Sequence, residues 1–352
     1  MNKYFENLDK QTKQYFRILS PEIPNFLEEY LEVPEMQRLS KISQACGTDY
    51  TKLYNHTSFY NILDHSVGCA LIVWNFTKDK KQTLSALFHD ISTPVFKHCI
   101  DFLNGDYEKQ ESTEDLTSEI IKNSKEIMKL LKRDNIKLEE VNNYHIYPIA
   151  DNDSPKLSSD RLEYTLQNGM KMNYGITFSI DDIKEIYENI ELQKDEEGID
   201  EIGFRDEKIA EKFINMASVL WPNWCDNRYK LTAQFYADTV KKMGEKNWLT
   251  KEDLYKYSES EVIDKIKKCE DKNISDCFKK FQNTTEFFES DVKPDGNNYW
   301  ISFNCKKRYI NPLVNVNGEY KRVKDVSEIA NQKIEEFLNW NTKKYAYFDF
   351  NF

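Results

Sequence analysis

Residues 84–98 read LSALFHDISTPVFKH: Leu84, Ala86, Leu87, Phe88, Ile91, Val95 and Phe96 are apolar, yet His89 and Asp90 stand side by side among them. The spacing predicts a buried helix over 84–91, ended by Pro94, whose ring lacks the N–H needed to continue it. A lone histidine on an apolar helix is ordinarily a satisfied core residue. Asp90 changes that weighting, because a buried carboxylate without a partner is costly and must be paired, protonated or bound to a metal. Neighbouring helical residues point about 100° apart, so His89 and Asp90 converge only on something lying between their directions.

The same anomaly recurs on either side. In NILDHSVGCALIVW, Asp64 and His65 enter a segment, Tyr60 to Phe76, that is apolar nearly all round and predicts a buried central helix. In LSSDRLEYTLQNGM, a helix with serines at its start and Gly169 as its stop would put Asp160, Tyr164 and Asn168 on one polar stripe, with Leu162 and Leu166 on another face. Two histidines and two aspartates, His65, His89, Asp90 and Asp160, are a sensible ligand set for one divalent ion of the Mn, Fe, Co, Ni or Mg group. Helical positions for all four would make such a site rigid.

Composition limits the rest. With 352 residues, 39% hydrophobic and 14% aromatic, the chain can bury one large core or two moderate ones. A net charge of −11 argues against a non-specific nucleic-acid binder or a protein drawn to anionic membranes, while small anionic substrates stay possible if cations gather locally. The longest apolar run, Val67 to Trp74, falls far short of the ~20 residues that span a bilayer. The polar opening MNKYFENLDKQTKQYF does not resemble a secretory signal, and the seven cysteines form no CxxC pair. These features predict a cytoplasmic protein.

Helical punctuation dominates the chain. The expected architecture is mostly α: an N-terminal helical arm over 1–34, a helical metal-binding core over 35–175, a helical extension over 176–285, and a small α+β C-terminal element over 286–352. Capping boxes are expected at Ser179 with Asp182 and at Thr250 with Asp253. In the last element NNYWISFNCKKRYI alternates like a strand, and VNVNGEYKRV carries an Asn-Gly hairpin turn at 317–318. From Lys293 on, ten basic side chains outnumber seven acidic ones. The cluster Lys306-Lys307-Arg308 then marks either a nucleotide or subunit contact or, as the preferred reading, a solvated strand edge. The aromatic end YAYFDFNF is expected to pack on the body or on a partner subunit.

The order H…HD…D, carried by VPEMQRLSKISQACG, LDHSVGCALIVW, LFHDISTPVFKH and LSSDRLEYTLQNG, resembles the HD-domain metal-dependent phosphohydrolases, nearest to their deoxynucleoside triphosphate triphosphohydrolases. The likeness runs from about residue 33 to 170. It implies an HD-domain helical core with His65, His89, Asp90 and Asp160 as metal ligands. It further implies Gln44 at the nucleotide sugar, Tyr164 beside phosphates and sugar, Arg161 in the phosphate pocket and His98 on the phosphates. Lys97 and Asn168 join these as candidate substrate contacts.

Three positions depart from the family pattern: Thr93 and Gln110 stand where it places histidines, and Ile62 where it places an arginine. A positioned acid or base is typically worth about 10²–10⁴-fold, so release of intact triphosphate is in doubt. Glu111 is the candidate replacement base, with Glu114 and Asp115 in reserve, although that acidic loop reads equally as a solvated turn. His145, with Asp151 and Asp153, is a weak alternative site.

The expected activity is hydrolysis of a nucleotide or related phosphate ester through a metal-activated water. The alternatives are a phosphodiesterase or phosphomonoesterase acting on a non-nucleotide metabolite, and a metal- or nucleotide-binding regulator weakened in catalysis. A small phosphorylated substrate is the expected partner, without membrane or nucleic acid, and a homo-oligomer is an open possibility.

Overall fold

The structure is a computed structural model that describes residues 3–56, 58–110, 112 and 116–352. It is mostly α-helical, with two small sheets. Its centre is the helix Ile62–Thr77, capped by the Asn61 side chain, which accepts the Asp64 N–H at 2.8 Å. Every residue from Ile62 to Val73 except Asp64 is buried, as a helix apolar on all sides requires. The helix Lys80–Phe88 returns against it after a two-residue link: Lys78 takes a left-handed φ of 52° and Asp79 caps the new helix. Ser159–Lys171 packs across the same central helix.

Two local expectations change. The helix carrying Leu84 stops at Phe88, so His89 and Asp90 lie in the turn beyond its end, three residues earlier than the apolar pattern suggested. Gly169 does not stop its helix, which runs on to Lys171. Its hydrogen is needed for packing instead, since a Cβ there would fall 2.4 Å from the Phe178 ring.

The stretch 176–285 is not helical throughout, and the protein is not all-α. Between the helices Ile180–Glu188 and Glu207–Ala217 lies a hairpin of β1 (Ile190–Lys194) and β2 (Asp200–Phe204). Asp195 closes its turn by accepting the N–H groups of Glu197 and Ile199 at 2.9 and 2.8 Å, and Gly198 takes the left-handed position. The high acidic content of this stretch hid the alternation of Ile190, Leu192, Ile202 and Phe204. Both expected capping boxes form.

The C-terminal residues complete both sheets. β3 (Phe288–Ser290), β7 (Tyr345–Phe348) and β4 (Tyr299–Ile301) form one, and β7, from the aromatic end, is its central strand with Ala346 and Phe348 buried on the body. β5 (Leu313–Val316) and β6 (Glu319–Arg322) form the expected hairpin, with Asn317 and Gly318 both at positive φ. β5 runs parallel to β2 through Phe204 and Val314, which ties the chain's end to its middle.

The alternating segment 297–310 is a strand only at Tyr299–Ile301. Beyond Ile301 it crosses another loop as an extended strap, with the Lys306 N–H on Tyr107 O at 3.3 Å and the Asn311 N–H on Pro155 O at 2.8 Å. Lys306–Arg308 is therefore not a strand edge facing water. Among the described residues no helix is long and apolar enough to cross a membrane.

Candidate metal centre and its pocket

Four side chains from three parts of the fold meet at one point. His65 extends from the first turn of the central helix, His89 and Asp90 from the turn after Phe88, and Asp160 from the first turn of the 159–171 helix. His65 Nε2 lies 3.1 Å from His89 Nε2, 3.1 Å from Asp160 Oδ1 and 3.7 Å from Asp90 Oδ2. His89 Nε2 lies 3.6 Å from Asp90 Oδ2 and 3.7 Å from Asp160 Oδ1. Donors bound about 2.1 Å from a common ion are separated by about 3.0–3.4 Å at octahedral or tetrahedral angles. The measured spacings fit that arrangement after small closure.

The other face of each imidazole is already used. His65 Nδ1 is bonded to Glu163, which also accepts the Tyr60 hydroxyl at 2.8 Å and the Tyr15 hydroxyl at 3.2 Å. His89 Nδ1 donates to Ala86 O at 2.7 Å. Holding Nδ1 turns Nε2 of each ring into the cluster, where an ion would take the lone pair exposed on loss of the Nε2 proton. Gly68 makes room for this, because a Cβ there would fall 2.6 Å from Glu163 Cγ. Glu163 escaped the sequence reading because its partners Tyr15 and Tyr60 are about 100 or more positions away.

The donor atoms that all lie within 4.8 Å of one another belong to His65, Cys69, His89 and Asp160, with Asp90 outside that set and tied to it through the two imidazoles. The Cys69 sulfur stands 3.8 and 3.9 Å from the two ring nitrogens of His65, against the ring face. Burial pushes its thiol up to about 12, so it packs as a neutral group. Burial would raise the Asp90 carboxyl, but Lys97, His89 and His65 hold it well below the usual range. Asp160 is lowered in the same way, burial being outweighed by the hydrogen bond and charge of His65 and by His89.

His89, Asp90 and Asp160, with His65 buried behind them, form the floor of a pocket that takes in most of the remaining sequence candidates. Lys97 is buried, with its Nζ 3.1 Å from Asp90 Oδ2 and donating to Gln44 Oε1 at 3.0 Å. His98 Nδ1 is 2.9 Å from Asp101 Oδ2, and Ser112 donates to the other Asp101 oxygen at 2.6 Å. Burial lowers the His98 imidazole despite Asp101. Tyr164 lines the wall with its ring edge-on to Trp224 at 5.2 Å, and burial pushes its hydroxyl up to about 12. Asn168 also lines the wall, its amide turned back onto Tyr164 O.

Arg161 reaches the wall but is committed to its own neighbours. Nη1 is 3.1 Å from Asp151 Oδ1, Nε donates to Lys156 O at 2.6 Å, and Nη2 bonds Asn152. His145 pairs with Asp151 at 3.1 Å on the pocket rim. Glu111, Glu114 and Asp115 lie outside the described residues.

The three departures have structural places. Ile62 is core, and Thr93 is buried with its carbonyl accepting from Arg38 at 2.6 Å. Gln110 lines the pocket and accepts from Arg308 Nη2 at 2.9 Å. Arg308, Tyr144, Tyr174, Trp224 and Tyr229 also line the pocket without having been singled out as site residues. For Arg308 the signal was its basic cluster, and the extended strap turned that cluster inward.

A buried carboxyl holds two of these segments in place. Glu259, fully buried, accepts the Ser43 N–H at 3.2 Å and the Phe96 N–H at 3.3 Å, next to Gln44 and Lys97. Phe96 and Lys97 both have positive φ, 65° and 44°, a turn that non-glycine residues adopt only when held. Burial raises Glu259 to about 8, against hydrogen bonds from Tyr50 and the two amides that favour its charged form. A carboxyl raised above its unfolded value contributes stability that is complete below that value and is lost as pH rises through the folded one. The melting temperature of Glu259→Gln relative to wild type should therefore climb as pH rises from about 5 to 8 in thermal melts. A difference constant across that window would show that Glu259 does not titrate there.

No family model matches the chain. It is 22% identical to the uncharacterized protein YdhJ of Bacillus subtilis, over 92% of this chain and 94% of that protein. A second likeness is confined to 144 residues, 27% identical to the metal-dependent phosphohydrolase cns2 of Cordyceps militaris, and covers 41% of this chain and 40% of that one. The fold is shared with a phosphohydrolase of Bacteroides thetaiotaomicron at TM-score 0.64, 13% identity, 93% of this chain and 96% of that one. It is shared equally with a hypothetical protein of Aquifex aeolicus at TM-score 0.63, 15% identity and 92% of each chain.

Proposed function

We propose that the chain is a metal-dependent phosphohydrolase of the HD superfamily that cleaves a nucleotide or related phosphate ester through a metal-activated water. The observation that carries this reading is the convergence of His65 Nε2, His89 Nε2, Asp90 Oδ2 and Asp160 Oδ1 on the floor of a cation-bearing pocket. The partial likeness to a protein named a metal-dependent phosphohydrolase supports it. Imidazole and carboxylate donors without a thiolate suit manganese, iron, cobalt, nickel or magnesium. Such an ion supplies Lewis-acid polarisation of a phosphoryl oxygen and lowers the pKa of water toward neutrality.

The chain's own groups do the rest. Lys97 balances Asp90 and orients the Gln44 amide toward the substrate's polar edge. Asp101 accepts the His98 Nδ1–H, so neutral His98 presents Nε2 as a proton acceptor, ready to return that proton to the leaving oxygen. Tyr144, Tyr174, Trp224 and Tyr229 offer ring faces on which a flat base can lie. The departures at Ile62, Thr93 and Gln110 favour removal of a single phosphoryl group over release of triphosphate. The substrate is a small phosphorylated molecule in the cytoplasm, and assembly into a homo-oligomer is compatible with this reading.

The test is metal content and product together. Protein purified without chelator should carry about one divalent ion per chain. With manganese added, it should release orthophosphate from at least one member of a panel of nucleoside mono-, di- and triphosphates and simple sugar phosphates. Bound metal with no turnover on the whole panel would favour a metal- or nucleotide-binding regulator, and protein without metal would end the reading.

A further inference from the structure

We infer that Arg308, carried on the C-terminal strap, is the guanidinium that receives the substrate's phosphoryl group, and that Arg161 is a structural residue of the pocket wall. The inference rests on the phosphohydrolase reading above and names a residue outside the segments that suggested it. All three nitrogens of Arg161 are occupied by Asp151, Lys156 O and Asn152. Its charge is matched by a carboxylate 3.1 Å away, and its position ties the 151–156 loop to the helix that bears Asp160.

Arg308 differs on each count. Among the described residues its one side-chain hydrogen bond runs from Nη2 to Gln110 Oε1 at 2.9 Å, a neutral acceptor that aims the group without spending its charge. The Gln110 amide in turn donates to Tyr107 O at 3.3 Å. The strap is pinned on both sides of Arg308, by Lys306 Nζ on Lys109 O at 2.9 Å, by buried Ile310, and by the Asn311 N–H on Pro155 O at 2.8 Å. The guanidinium thus lines the same cavity as His89, Asp90, His98 and Asp160; Gln110 takes one of the two Nη2 N–H groups, and the other still shares an edge with Nε or with Nη1. A planar fork with two donors on one edge matches two phosphoryl oxygens, which an ammonium does not.

Two probes test this on the full-length, manganese-loaded chain: orthophosphate binding by titration calorimetry, and turnover of whichever panel substrate is cleaved, with metal content measured alongside. Arg308→Ala should weaken orthophosphate by about 10- to 100-fold and raise KM by a similar factor, with metal stoichiometry unchanged. Arg308→Lys, which keeps the charge and loses the fork, should fall between, and it decides the question if the alanine variant does not fold. Binding and KM within twofold of wild type in both variants would overturn the assignment to Arg308 while leaving the hydrolase reading intact. A metal-loaded wild type that neither binds orthophosphate nor releases it from any substrate would overturn both.

Discussion

Asp90→Asn should leave the protein folded, deprive it of its metal and lower phosphate release by at least about 10³-fold, since an ion's Lewis-acid contribution is several kcal/mol and each 1.36 kcal/mol is tenfold. Asp90 is the one carboxylate of the cluster that faces both imidazole Nε2 atoms and a lysine, at 3.7, 3.6 and 3.1 Å. The amide keeps its shape and can still accept from Lys97, so packing survives while the anionic donor is lost. Asp90→Ala is the harsher change, because it leaves Lys97 buried without its counter-charge, a loss worth about 3–5 kcal/mol in such pairs. Metal analysis, circular dichroism and phosphate release on both variants separate these effects. An asparagine variant that keeps its metal and its turnover would remove Asp90 from the site.

Glu163→Gln should weaken the metal by about 10- to 100-fold without touching a ligand. Glu163 orients His65 through Nδ1 and receives two tyrosine hydroxyls, so every nearby group offers it a proton. A glutamine must turn its NH₂ toward at least one of those donors, which leaves buried groups unpaired at about 1–3 kcal/mol each and frees the ring to tilt. Competition with a chelator for manganese should show the lost affinity, and saturating manganese should restore most of the turnover. Affinity within twofold of wild type would show that His65 is held by packing alone, chiefly by Cys69 against its ring. Loss of turnover that excess metal does not restore would place Glu163 in the chemistry itself.

What could be read from residue types alone was the set of misplaced polar groups in apolar segments. His65, His89, Asp90 and Asp160 were marked because each interrupts a local pattern, and the structure brings all four together. Gln44, Lys97, His98, Tyr164 and Asn168 also reach that pocket. The reading erred where local pattern and tertiary demand compete. Gly169 looks like a helix stop, but Phe178 requires it within the helix. Residues 190–204 look charged and helical, but Asp195 and Gly198 fold them into a hairpin. Arg161 and Arg308 both line the pocket, and nothing local shows that the first is paired with Asp151 and the 152–156 loop while the second, among the described residues, meets only Gln110.

The sequence by itself determined the buried helices, their caps and the candidate donors, because these depend on side chains within a few positions of one another and on the periods of helix and strand. Only the tertiary structure decided what holds the donors and what faces them. Tyr15 and Tyr60 reach Glu163 across 148 and 103 positions, and Arg308 reaches Gln110 across 198. No local period encodes such pairings. They exist because burial of the central helix brings distant segments around one core, where each polar group that cannot reach water must find its partner in another part of the chain.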